Sequence, residues 1–181
     1  QVINTTVDVD IPKYARMTIA ATQKLKKFMY YISKSVPVKI NFSDMARDLE
    51  LSRDELPKYL EYLEKAELVS VLRMKANGDA ILRKMDKLYL QNSNMSYVLS
   101  GENPDTGNAR ETIFYCWTKQ KYDTVESPVS DFEIDGKTFE VGGRNKGKKQ
   151  ISNLEDAYVV KDTIEYVFDN QVPLWMFGFL Y

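Results

Sequence analysis

The run Ser130 to Lys149, SDFEIDGKTFEVGGRNKGKK, constrains the fold of this chain more than any other stretch. Asp135-Gly136 is the favoured pair for a two-residue hairpin turn, because both central positions of a type I′ turn need positive φ. With the turn placed there, the pairing can be counted. Ile134 faces Lys137, Glu133 faces Thr138, Phe132 faces Phe139 and Asp131 faces Glu140. Alternation sends Phe132, Ile134, Phe139 and Val141 to one face and Asp131, Glu133, Thr138 and Glu140 to the other. Two carboxylates then stand opposite each other, with Cβ atoms roughly 5 Å apart. Such a pair repels unless a cation, a proton or solvent intervenes, and a divalent metal reverses the sign of the interaction because hard cations prefer carboxylate oxygens.

The rest of the composition narrows the chemistry. Histidine is absent and Cys116 is the single cysteine, which removes an internal disulfide, the usual zinc ligands and the usual general base. Catalysis, if any, has to run on carboxylates, lysine, tyrosine or that thiol. The longest apolar run, Val172 to Tyr181, is too short to span a bilayer, and the first residues lack a basic flank and apolar core. A soluble, cytosolic chain without a membrane partner is expected. It begins at Gln1, which suggests an excised piece of a longer protein.

Charge divides the chain. Residues 1–90 hold 16 Lys and Arg against 12 Asp and Glu, whereas residues 91–181 hold 9 against 14. With the polar stretch LQNSNMS at the change of sign, this predicts two domains, 1–92 and 93–181. In the first, TQKLKKFMYYISKSVP places Leu25, Phe28, Met29 and Ile32 on one helical face, with Pro37 as a stop. NFSDMARDLEL offers Ser43 as a cap and Met45, Ala46 and Leu49 as a buried stripe. SRDELPKYLEYLEKAEL opens with Ser52 and Glu55 in capping-box spacing and buries Leu56, Leu60 and Leu63; Pro57 moves its regular start toward Asp54. LVSVLRM, the turn KANGD and KLYL follow as two strands. Three helices closed by a hairpin is the winged helix-turn-helix order. Its candidate recognition helix is not basic, since Asp54, Glu55, Glu61 and Glu64 offset Arg53, Lys58 and Lys65. Backbone contact with DNA falls instead to Arg73, Lys75, Arg83, Lys84 and Lys87 of the wing region, and a protein-docking role is at least as compatible with these charges.

The second half reads as a helix in ARETIFYCWTKQ with Ile113, Phe114 and Trp117 on one face, the hairpin, a helix near residues 151–157, the strand AYVVKD and an aromatic tail. That order predicts a small α/β domain on a mixed sheet, and the whole chain is α+β. Gly142, Gly147 and Lys148 fall at P-loop spacing, but Lys149 stands where the magnesium-binding hydroxyl belongs, so the match is a coincidence of composition. Arg144, Lys146 and Lys148 remain candidates to touch a phosphate or an acidic partner.

The hairpin resembles the PD-(D/E)xK nuclease fold. The resemblance implies that Asp131 and Glu140 hold a Mg²⁺ or Mn²⁺ ion and that Glu111, on the preceding helix, is the third catalytic acid. The lysine expected two residues beyond Glu140 is Gly142, so the site is expected to be vestigial. KKFMYYISKSVP, LELSRDELPKYLEYLEKAELVSVL, LYLQNSNMSYVLSG, GNARETIFYCWT and DFEIDGKTFEVGGRNK, in that order, resemble the C-terminal part of bacterial AAA-type ATP-binding proteins. This implies a winged helix and a nuclease-like domain downstream of an ATPase core, which carries the ATP and is the first expected partner, with DNA second. No Walker A bearing its Ser or Thr is present, so neither ATPase activity nor a cofactor is carried over to these residues. The expectation is a non-catalytic recognition and assembly module, with a metal-dependent nuclease and a winged-helix DNA-binding regulator as alternatives.

Overall fold

The computed structural model describes residues 1–52, 54–74, 87–100, 105–147 and 150–180. The chain is α+β and forms two compact units, residues 1–71 with 88–103 and residues 72–87 with 104–181.

The first unit opens with a helical segment, α1 (Val2–Thr5), a π-helical turn (Thr6–Asp10) and α2 (Ile11–Ala15). Its long helix α3 (Ile19–Ser35) starts at Thr18, whose hydroxyl accepts from the Ala21 N–H at 3.2 Å, and ends before Val36-Pro37. It buries Leu25, Phe28, Met29 and Ile32, the stripe read from the sequence. After β1 (Val38–Lys39), α4 (Phe42–Asp48) is capped by Asn41 and not by Ser43: the Asn41 side-chain oxygen accepts from the N–H groups of Ser43 and Asp44. Asparagine one residue outside the helix reaches both orphan donors, which serine inside the first turn cannot.

Helix α5 (Glu55–Lys65) carries the expected capping box. The Ser52 hydroxyl accepts from the Glu55 N–H at 3.1 Å while the Glu55 carboxylate accepts from the Ser52 N–H at 2.8 Å, and Pro57 falls in the first turn, where no helical N–H is required of it. The Ser52 N–H bond, above all, holds the Glu55 carboxyl below its ordinary range. Ser52→Ala is expected to lower stability by about 1 kcal/mol in urea unfolding.

Strands β2 (Val69–Leu72) and β3 (Lys87–Leu90) join β1 in a sheet of order β1-β3-β2. The turn KANGD between them lies outside the described residues. LQNSNMS opens a helix: the Asn92 side chain accepts from the Asn94 N–H at 2.9 Å at the start of α6 (Asn94–Ser100), which packs on α3 and extends the first unit to residue 103.

In the second unit, α7 (Thr106–Thr118) precedes β4 (Val125–Glu126), β5 (Phe132–Ile134), β6 (Lys137–Gly142), β7 (Ala157–Lys161) and β8 (Gln171–Pro173), with a closing 3₁₀ helix (Leu174–Phe179). The sheet order is β4-β5-β6-β7-β8. The first two pairings are antiparallel and the last two parallel. Residues 150–156 form turns where a helix was expected, since a segment with only Ile151 and half-exposed Leu154 as large apolar groups has too little to bury. The buried face of α7 also departs from the expected Ile113, Phe114 and Trp117 set. It holds Thr112, Phe114, Tyr115 and Thr118. The two threonine hydroxyls donate to the Asn108 and Phe114 carbonyls at 2.8 and 2.9 Å, which satisfies them inside the core and leaves Trp117 half-exposed over Gly178.

Candidate acid and lysine site

The hairpin forms with the counted register: Ile134 pairs with Lys137, Glu133 with Thr138 and Phe132 with Phe139. Asp135 and Gly136 adopt φ of 50° and 79°, the positive values that the turn requires. Parallel pairing then sets Glu140 beside Val159 and Gly142 beside Lys161. Ile151, from the following loop, packs with Ala157 and Val159 on the face that carries Glu140. That face is therefore covered. Glu140 is 1% exposed, not a member of a solvated hairpin face.

A buried carboxylate needs compensation, and Glu140 has three partners. Lys146 places its ammonium 2.5 Å from Oε1, the Ser130 hydroxyl bonds Oε2, and the Gln150 side chain, with its amide nitrogen turned inward, donates to both oxygens. The Phe139 carbonyl lies 3.1 Å from the same hydroxyl, so the one Ser130 proton is shared between the carboxylate and the strand backbone. Asp131 flanks β5 and accepts from the Val141 N–H at 2.8 Å. Burial raises its pKa, as does the charge of Glu140; the Val141 N–H and the Lys146 and Lys87 ammonium groups work the other way.

Lys146 corrects one inference from sequence. From sequence, Gly142 leaves the expected lysine position empty, with Arg144 and Lys146 of the following loop as the cations that could reach back to the acids. The glycine instead makes room for one: a Cβ at residue 142 would lie 2.5–2.7 Å from Lys146 Cγ, Cβ and Cδ. The lysine stem crosses the space where a side chain of residue 142 would stand. Burial opposes its charge, but the hydrogen bond to Glu140 and the fields of Asp131, Glu140 and Glu111 outweigh that, and its pKa rises. Glu111 is thus near enough to act on Lys146. Among the described residues, no three histidine, cysteine, aspartate or glutamate side chains gather closely enough to hold a metal ion.

A second cation lies against the adjoining glycine. The Arg110 guanidinium carbon would stand 3.0 Å from a Cβ at residue 143, and Arg110 Nε donates to Asp162 at 2.6 Å. Sequence reasoning missed Ser130, Gln150 and the Arg110–Asp162 pair; the tandem glycines at the end of a strand were the signal, since each clears space for a cation from elsewhere in the unit. Of the proposed phosphate-contacting residues, Lys87 lies 3.8 Å from the carboxylate of Glu126, and Arg73 and Arg144 are exposed. Lys75, Arg83, Lys84 and Lys148 lie outside the described residues. Burial pushes the Cys116 thiol up to about 11, so it is protonated and a poor nucleophile at neutral pH. Among the described residues, no helix is long and apolar enough to cross a membrane.

The molecule is thus an α+β protein with a buried acid and lysine cluster on a mixed sheet. Residues 1–106 match the family described as Domain of unknown function (DUF8612), and the chain belongs to that family. The matched stretch ends near the close of the first unit and before Glu111, so the acid cluster lies beyond it. No curated protein and no solved structure matches the chain.

Proposed function

We propose that the chain is the C-terminal recognition and assembly part of a bacterial AAA-type ATP-binding protein, and that its second unit is a nuclease-like module that retains metal-dependent cleavage. The ordered sequence resemblance supports the first statement, with the ATPase core as partner and DNA as second ligand. The element order α3, β1, α4, α5, β2, β3 supports reading the first unit as a winged helix. The observation that carries the second statement is the Lys146 ammonium on Glu140, which supplies a cation where Gly142 supplies none.

The nuclease reading requires Asp131 and Glu140 to take up a divalent cation, although Lys146, Ser130 and Gln150 already engage the Glu140 oxygens. Asp131 and Glu140 are adjacent acids on a water-poor face, and Glu140 already seats a cation. They would be its protein ligands; Mg²⁺ commonly keeps several waters and takes only one or two carboxylates. Such an ion, when bound, supplies Lewis-acid polarisation of a phosphoryl oxygen and lowers the pKa of a bound water. Ser130 and Gln150 hold the Glu140 carboxylate in one orientation. Lys146 brings a fixed positive charge to the place where negative charge develops on a phosphodiester, the role that preorganised cations play in phosphoryl chemistry.

The expected result is Mg²⁺- or Mn²⁺-dependent cleavage of plasmid and single-stranded DNA by the chain, lost in Asp131→Ala. Cleavage absent with either metal, or unchanged by that substitution, overturns the nuclease reading and leaves the acid cluster as an internal ion-pair network in a recognition module.

A further inference from the structure

We propose that the second unit carries a docking surface for a basic polypeptide segment, one that sets arginine or lysine beside apolar side chains. The surface consists of the loop between β7 and β8, residues 162–170, and the 3₁₀ helix that follows β8. It stands apart from the acid and lysine cluster and does not depend on the nuclease reading.

The loop holds Tyr166, Val167 and Phe168 out to solvent, at 80%, 53% and 74% exposure. Three consecutive exposed apolar residues are a liability on a folded surface unless they serve a contact. They do not sit on a loose segment. The Phe168 N–H and carbonyl both bond the Gln171 backbone, the Asn170 carbonyl accepts from the Val159 N–H at 2.9 Å, and the Asn170 side-chain amide donates to the Ala157 carbonyl at 3.0 Å. Beyond β8, the 3₁₀ helix turns Phe177 inward against Phe114 and Phe139 and leaves Trp175, Met176 and Phe179 exposed. The Trp175 and Phe179 rings meet edge to face, with centroids 6.0 Å apart. Backbone anchoring and ring pairing fix these groups in advance, so little ordering entropy is lost on contact. Tyrosine, tryptophan, phenylalanine and methionine are also the residues enriched at protein interfaces.

Charge selects the partner. Residues 151–181 carry five carboxylate side chains against a single cation, Lys161. Arg110 engages Asp162, whereas Glu165 and Asp169 bracket the three apolar loop residues and are exposed with them. Carboxylates interspersed with aromatic rings repel nucleic acid and anionic lipid, and a second copy docking by the same face would set acid against acid. Arginine and lysine suit both features, since they pair with carboxylates and rest on ring faces.

The probe is a labelled helix-forming peptide with leucine on one face and arginine on the other, its binding to the chain read by fluorescence anisotropy. Binding is expected, weakening as salt rises, with none by a twin peptide that has glutamate in place of arginine. Phe168→Ser and Trp175→Ser are each expected to weaken it about tenfold, and both side chains are exposed, so the core is left intact. Tyr97→Ser, an exposed position on α6 of the first unit, is expected to stay within about twofold of the parent. No binding of the arginine peptide, equal binding of its glutamate twin, or equal binding of an arginine peptide without leucine overturns the proposal. So does affinity unchanged in Phe168→Ser and Trp175→Ser, or a matching loss in Tyr97→Ser. A dimer of the chain alone in sedimentation, dispersed by Phe168→Ser, assigns the face to a second copy and overturns the basic partner.

Discussion

Lys146→Met is expected to slow Mn²⁺-dependent DNA cleavage by about 100- to 1,000-fold, the usual cost of removing one preorganised charge from a site where charge develops. The loss should fall on kcat, because an ammonium aimed at developing charge does little for substrate in its ground state. Lys137→Met, which removes an exposed charge from the same hairpin, should cleave at close to the parent rate. Single-turnover cleavage of a supercoiled plasmid at saturating Mn²⁺ separates these cases, and a Lys146→Met chain that cleaves normally would contradict the role given to the ammonium.

Phe114→Ala is expected to destabilise the second unit by about 3–5 kcal/mol, the range for removing a buried phenyl group. The ring is fully buried where α7 meets the sheet and the closing 3₁₀ helix, with centroids 5.0 Å from Phe132, 5.5 Å from Phe139 and 4.7 Å from Phe177. Its removal leaves a cavity bordered by three rings held on three different elements, which collapse fills only in part. Trp117 and Trp175, the chain's two tryptophans, both lie in this unit, so tryptophan fluorescence during urea unfolding follows it selectively. A loss below about 1 kcal/mol would mean that the aromatic cluster is not the unit's core.

The readings from sequence that hold are those in which one local rule decides. Asp135-Gly136 set the register, so the opposition of Phe132 and Phe139 could be counted before any coordinates. The buried stripes of α3 and α5 followed the helical period, and the capping box at Ser52 and Glu55 followed its spacing. What failed depended on segments that meet only in the folded chain. Glu140 looks solvated on an isolated hairpin; it is buried because a loop returns Ile151 and Gln150 over that face. Thr112 and Thr118 look polar in sequence, but each satisfies its hydroxyl on its own helix and enters the core.

The candidate site was legible as acids and illegible as a site. Asp131 and Glu140 came from the strand count, while their cation came from four residues past the vacant position, across a turn whose path no periodicity specifies. Glycine at residue 142 read as the loss of a lysine. In the folded unit it is the clearance that lets another lysine through. The strand pattern contained the place for the charge, and the choice between the loop cations Arg144 and Lys146 had to await the fold.

The most direct measurement is the anomalous diffraction of manganese in crystals of the chain grown with and without Mn²⁺. A manganese peak against the carboxylates of Asp131 and Glu140 is the expected result, with the Lys146 ammonium on Glu140 in the metal-free crystal. Crystals grown at saturating Mn²⁺ with no peak at these two carboxylates would contradict the nuclease reading.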